Sequence, residues 1–377
     1  MRTIDADGHI VECEAIFADL PGEFYPRRPV PVFMPPDTVR GDFNGAWIIE
    51  GKTYPTLGTR GRTTFLVPGD RRTTSHDASV GSQTLADVEA RLADLDQRNI
   101  DVQIIFPSLF LVSSASDVKL EGALFNAYNT YLARACAKSK GRLSWAALIP
   151  FRDPDAAAEE IRRVGGLGAA GIFTMGMVWD RTLDDAAFYP VYAAAEEQNL
   201  PVCVHLGWSS PQVTDLFSDG RAFFCSATIP VIWGFVAIMG TGLLNRFPKL
   251  RVGFLETGAA WVPYAIQQLR RRTAPVQVSR EKTGRPVYAS GIDRERYRDP
   301  EDFLRSGRAF VNCEGDEDFR YLLEHMGEDS LMCSSDFPHE DASAEGAFVK
   351  NWRARADIPD AVKGKLLGQN AERFYRI

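Results

Sequence analysis

The chain of 377 residues is 45% hydrophobic and 25% charged, proportions of a folded globular protein that exclude disordered and collagen-like chains. Lys and Arg number 43 against 50 Asp and Glu, a net charge of −7 with no long basic run, so neither a nucleic-acid partner nor a phosphate track is expected. Cys13, Cys136, Cys203, Cys225, Cys313 and Cys333 are scattered without a C-x-x-C pair, which argues against a zinc ribbon or a disulfide framework and favours a cytoplasmic setting.

Taken from the N-terminus, the first predicted strand spans 3–9, and its acids Asp5 and Asp7 stand where a secretion signal would need an apolar run. Residues 11–81 follow, rich in Pro, Gly and Arg, and read as an insertion that forms a lid or rim. A helix over 84–97 places Leu85, Val88, Leu92 and Leu95 on one face. Further strands are predicted at 102–106, 143–148, 170–173, 202–205, 252–255, 309–312 and 331–334, with helices at 120–138, 155–164, 187–198 and 261–272 between them. Residues 273–299 form a second, smaller insertion. No charged side chain occurs between Arg221 and Arg246, yet Pro230, Gly234, Gly240 and Gly242 interrupt that run. A buried helix or a subunit contact is expected there, not a membrane span.

Eight strands alternating with helices predict an α/β fold, a (β/α)8 TIM-type barrel of one domain over 1–377 with the two insertions added. In such a barrel the C-terminal strand ends converge on one site. Strand one ends in Asp5, Asp7 and His9, which a period of two turns the same way. Strand five ends at His205, strand six at Glu256, strand seven at Glu314 and strand eight at Asp336.

Imidazoles and carboxylates converging on one mouth suit a divalent metal, with zinc, manganese and iron all accepting these donors. Asp7, His9, His205 and Asp336 are the expected ligands. Glu256 and Glu314 are each read either as further ligands, which would allow two metals, or as base or supporting groups. His339, three residues beyond Asp336, is placed to touch the substrate or support the site, and His325 reads as a helix C-terminus. In the first insertion His76 is a candidate pocket residue, and Arg60, Arg62, Arg71 and Arg72 are candidates for holding an anionic substrate.

Four stretches carry a resemblance: Ile4-Asp-Ala-Asp-Gly-His9, 183–207 with Leu200-Pro-Val-Cys-Val-His205, Phe247 through Glu256-Thr-Gly-Ala-Ala-Trp261, and Cys333-Ser-Ser-Asp336-Phe-Pro-His339. Together they resemble the amidohydrolase superfamily, in the branch of aminocarboxymuconate-semialdehyde decarboxylase and the related aromatic-acid decarboxylases and hydrolases. The resemblance implies a divalent metal on Asp7 with His9, His205 and Asp336. It also marks three departures: Asp7-Gly-His9 stands where many relatives have His-x-His, Glu256 stands where relatives usually have a His, often an acid/base group, and strand four ends Gly171-Ile-Phe-Thr174 without the lysine that would bridge two metals as a carbamate.

The implied activity is hydrolysis or non-oxidative decarboxylation of a small carboxylated substrate, with Asp336 or Glu256 as the acid/base group. Two alternatives remain: a dinuclear iron or iron/manganese oxygenase that uses the extra carboxylates, and a non-catalytic metal-bearing subunit of a related active chain. A homodimer or a hetero-oligomer with a related barrel would use the apolar 222–245 segment.

Overall fold

The computed structural model describes residues 2–33, 35, 37, 45–54, 67–68, 77–113, 115–216, 224–273, 297–340 and 344–377. Its central sheet has eight parallel strands in chain order: β1 Ile4–His9, β2 Val102–Phe106, β3 Leu143–Leu148, β4 Gly171–Met175, β5 Val202–His205, β6 Val252–Leu255, β7 Ala309–Cys313 and β8 Leu331–Cys333. Almost every strand residue is buried, as expected where helices cover one face of a parallel sheet and the barrel core fills the other. The chain beyond β8 returns to β1. Asp336 N donates to Asp7 O over 3.0 Å and His9 N to Phe337 O over 2.8 Å, joining the two edge strands at the end where the site lies.

Between the strands lie α1 Val88–Arg98, α2 Val118–Cys136, α3 Pro154–Leu167, α4 Tyr189–Glu197, α5 Ile229–Gly240, α6 Val262–Thr273 and α7 Phe319–Met326, with α8 Asn370–Tyr375 closing the chain. Asp87, Asp117, Asp153 and Asp318 cap α1, α2, α3 and α7 by accepting from backbone N–H groups of the first turn. Each such cap is worth about 1 kcal/mol. The helix predicted over 84–97 begins only at Val88, because Leu85 takes a left-handed backbone at φ 56° and separates α1 from a short turn, Val80–Gln83.

A second departure lies in β1. Asp5 pairs with Gln103 and Gly8 with Ile105, so three residues of β1 match two of β2 and a bulge falls between them. The strict alternation expected for Asp5, Asp7 and His9 is therefore broken.

Of the 11–81 insertion, the described residues form an antiparallel sheet of Val30–Phe33, Gly45–Ile49 and Lys52–Tyr54. Trp47 is fully buried and packs edge-on against Phe17, which in turn meets Phe110 of the barrel core. Glu50 accepts from Ser116 N, and Arg27 pairs with Asp117 at 2.7 Å, which ties the sheet to the start of α2. Residues 274–296 of the second insertion, like His76, Arg60, Arg62, Arg71 and Arg72, lie outside the described residues.

The charge-free stretch forms α5, seated on the barrel through two glycines. A Cβ on Gly176 would lie 1.8 Å from Pro230 O, and one on Gly234 would lie 3.1 Å from Gly176 Cα. Among the described residues no helix is long and apolar enough to cross a membrane.

Candidate metal centre

Each functional side chain sits at the C-terminal end of its strand. β1 supplies Asp7 and His9, β5 His205, the residue after β6 Glu256, and the segment after β8 Asp336; all five are buried. Glu256 and Asp336 share an unusual backbone, both left-handed at φ 56°. That conformation costs a residue with a Cβ of order 1 to 3 kcal/mol and persists where surrounding structure fixes it. Here it turns both carboxylates inward immediately after the strands end.

The donor atoms converge. His9 Nε2 lies 3.4 Å from Asp7 Oδ1, 3.1 Å from Asp336 Oδ1 and 3.7 Å from Glu256 Oε2, while His205 Nε2 lies 3.1 Å from both Asp7 Oδ2 and Glu256 Oε2. Donors bound to one cation at about 2.0 to 2.2 Å are themselves about 3.0 to 3.4 Å apart. Asp7, His9, His205 and Glu256 come together as one group of converging donors, and Asp336 joins it through His9, with which it and His339 form a second.

The hydrogen bonds show why a cation fits. His9 Nδ1 lies 2.9 Å from Pro107 O and His205 Nδ1 2.8 Å from Leu206 O. A carbonyl only accepts, so each Nδ1 carries a proton and each ring turns its Nε2 toward the carboxylates, where it can serve a cation. Asp7 Oδ2, His9 Nε2 and both Asp336 oxygens make no well-aligned hydrogen bond among the described residues, their near neighbours being the other donors of the site and, for Asp336 Oδ1, His339 Nδ1 at 2.9 Å. Lone pairs facing carboxylates in a buried nest repel one another, and a divalent cation would satisfy all of them. Burial, assisted by neighbouring His339, holds His9 well below the ordinary imidazole range. Burial also acts to lower His205, but the Asp7 carboxylate outweighs it and raises that ring.

Around the cage is a supporting shell. His339 stacks on His9 at 4.0 Å between ring centroids and points Nδ1 at Asp336 Oδ1, 2.9 Å away. Its Nε2 lies 2.7 Å from Ser108 Oγ, whose own proton goes to Ile10 O at 2.7 Å, so His339 Nε2 is the donor. Glu12 is buried beside this chain, accepting from the N–H groups of Ser108 and Leu109, and burial pushes its carboxyl up to about 7. Asp5 stands apart from the cage: it accepts from Ser335 N at 2.8 Å and Gln103 Nε2 at 2.7 Å, and burial raises it to about 7. Arg91, fully buried, donates to His9 O and lies 4.7 Å over the Phe337 ring.

Glu314 falls outside both groups of converging donors among the described residues. Burial, then the charges of Asp336, Glu317 and Asp7, push its carboxyl up to about 8. His325 lies in the last turn of α7, at a helix C-terminus as expected. Phe106 stacks on His205 at 5.0 Å and Phe173 lies 5.8 Å from it, forming an apolar wall. Sequence reasoning missed Glu12, Ser108 and Arg91. Ser108 could have been found by applying the strand-end rule to β2, which it follows by two residues; nothing local marks Arg91, whose role depends on the packing of α1 against β1.

Comparison with known proteins agrees with this architecture. Residues 4–377 match the amidohydrolase family, and the chain belongs to it. The gamma-resorcylate decarboxylase of Rhodococcus jostii is 25% identical over 307 residues, covering 77% of this chain and 87% of that protein. An amidohydrolase from Mycobacterium avium subsp. paratuberculosis has the same fold at a TM-score of 0.76, with 19% identity over 100% of this chain and 98% of the other. The 5-carboxyvanillate decarboxylase of Novosphingobium aromaticivorans, whose crystal structure holds manganese and 4-hydroxy-3-methoxy-5-nitrobenzoic acid, superposes at 0.63, with 23% identity over 79% of this chain and 82% of that one. None of the three is described as an oxygenase, and the dinuclear oxygenase reading gains no support from them.

Proposed function

We propose that this chain is a metal-dependent, non-oxidative decarboxylase of a small carboxylated aromatic acid. The observation that carries the reading is the buried cage of Asp7, His9, His205 and Glu256, to which Asp336 is joined through His9 at 3.1 Å, a donor set that we read as the site of one ion. Its likeness to the gamma-resorcylate and 5-carboxyvanillate decarboxylases supports the choice of reaction. Three carboxylates with two imidazoles form an oxygen-rich set suited to manganese, the metal held by the Novosphingobium enzyme. When bound, the cation would supply a positive anchor for the substrate carboxylate and a neighbouring oxygen.

The five cage residues hold and orient that anchor. His339, fixed by Ser108, keeps Asp336 turned inward. The wall of Phe106 and Phe173 excludes water from one side of a flat ring. As the bond between ring and carboxylate carbon breaks, its electron pair stays on the ring carbon and carbon dioxide leaves. Glu314, the strand-seven acid that falls outside the converging donors, is assigned as the group that gives that carbon its proton and is reprotonated from solvent. The insertion over 11–81 is assigned as a rim of the substrate entrance. We place the protein in the cytoplasm on its six free thiols, including Cys313 and Cys333 with sulfurs 3.6 Å apart. A second barrel packing on Trp233 and Val236 of α5, both exposed, would form a dimer.

The test is carbon dioxide release from a panel of 2-hydroxybenzoates by manganese-loaded protein. Release that stops on chelation and is lost in His205→Ala is the expected result. Panel-wide inactivity of fully loaded protein, or full activity after chelation, contradicts the proposal.

A further inference from the structure

We infer that an apolar pocket beside the cage receives an uncharged arm of the substrate, so that the acid turned over carries a short branched alkyl group or a second ring beyond its carboxylated ring. This deepens the decarboxylase reading and rests on it for the carboxylate.

The pocket opens among the C-terminal ends of β2, β3 and β4, walled by Phe110, Phe125, Phe151, Phe173, Met177 and Val178. Phe173 belongs to both places: it lines the pocket and its ring centroid lies 5.8 Å from that of His205. Met175, also in the lining, is the register partner of His205. Phe173 therefore borders both the pocket and the cage.

Its polar groups are occupied internally. Glu121 takes three hydrogen bonds from Arg152 at 2.8 to 3.1 Å and another from Trp179, and Arg152 stacks over the Trp179 ring at 4.3 Å. Arg152 also donates to Ala115 O and Ser116 O. Ser113 Oγ donates to Ser209 O at 2.7 Å and Thr174 Oγ1 to Met175 O at 3.1 Å. Nothing in this lining asks for a charged or hydrogen-bonding ligand, so recognition is by shape and apolar area. The clasp of Glu121, Arg152 and Trp179 fixes the wall before a ligand arrives, which reduces the entropy cost of binding.

Size sets the arm. The pocket offers about 50 Å³ of free space. A single water needs about 10 to 15 Å³ on this measure, so about four water-sized groups fit. That matches a short branched alkyl group or the leading edge of a ring.

The experiment is calorimetric titration of the manganese-loaded protein with 2-hydroxybenzoate, with its 4- and 5-isopropyl derivatives, and with 3-isopropylphenol, which lacks the carboxylate. At least one isopropyl acid is expected to bind at least about tenfold more tightly than the parent acid, because each buried carbon is worth about a fourfold gain. Val178→Phe, filling the pocket from its half-buried rim, is expected to erase that margin and leave the parent acid unaffected. Met177→Ala, widening the pocket, is expected to preserve the margin. Equal binding of parent and isopropyl acids in the wild type, a margin that survives Val178→Phe, or no binding by any of the ligands overturns the proposal. Binding of the phenol alone, sensitive to Val178→Phe, upholds the pocket and sinks the decarboxylase reading. Binding and turnover of the parent acid with no gain from any arm does the reverse.

Discussion

A buried imidazole with its Nδ1 committed to a carbonyl has only its Nε2 left to offer a ligand, and in His9 and His205 that nitrogen faces carboxylates. The same geometry ranks the surrounding residues. Removing an outer partner of a metal ligand costs about 10- to 100-fold in affinity, and removing a ligand costs more. Manganese affinity, measured by competition with a fluorescent chelator, is therefore expected to fall by more than about 100-fold in Glu256→Gln and by about 10- to 100-fold in His339→Ala, which removes the neighbour of Asp336 Oδ1. Wild-type affinity in Glu256→Gln would remove Glu256 from the cage and return it to an acid/base role. Glu314→Gln separates proton delivery from binding: turnover is expected to drop by about 100-fold or more, with manganese affinity unchanged. A matching loss of affinity would make Glu314 a ligand instead.

Strands and helices place these residues with different degrees of legibility. β2, β3, β5 and β6 appear at the bounds the sequence suggests, because each is a short apolar run buried on both faces and ended by a turn or a polar residue. His205, Glu256 and Asp336 could be read as site candidates for the same reason, being the polar residues that end such runs. Gly8 is the one local mark of the bulge in β1, whereas the left-handed backbones of Leu85, Glu256 and Asp336 stand at residues that are neither Gly nor Asn and carry no such mark. Those conformations are imposed by packing between elements far apart in the chain. The apolar pocket was illegible for a related reason: its wall is assembled from the ends of three strands and one face of α2. Gly176 is the place where element packing can be tested. Its missing side chain lets α5 approach β4, and a Cβ there would meet the Pro230 carbonyl, which is backbone and has little room to yield. Gly176→Ala is expected to lower unfolding stability by about 2 kcal/mol or more in urea titration. An unchanged midpoint would show that α5 does not depend on this close approach.

At the scale of the whole molecule, the cage and its surroundings concentrate acids that folding must keep protonated or neutralise. Burial raises Asp5 and Glu12 to about 7 and Glu314 to about 8, each well above its ordinary value. An acid raised on folding binds its proton more tightly in the native state, so its contribution to stability is complete below the ordinary value and is lost as pH rises through the raised one. Chelator-treated protein is thus expected to show a falling thermal midpoint between about pH 6.5 and 8, above the range in which the depressed His9 acts the other way, and Glu12→Gln to flatten the lower part of that fall. A midpoint that rises over this window would contradict the burial of these groups as acids. Cation binding acts in the opposite direction, because a ligand that binds only the native state stabilises it by mass action. The most direct measurement is a titration of manganese into chelator-stripped protein, following bound metal and carbon dioxide released from a 2-hydroxybenzoate in the same samples. Activity that is absent at the start, rises in step with bound metal and levels at one ion per chain is the expected result. Activity before any metal is added, or none until a second ion binds, would contradict a single-ion decarboxylase.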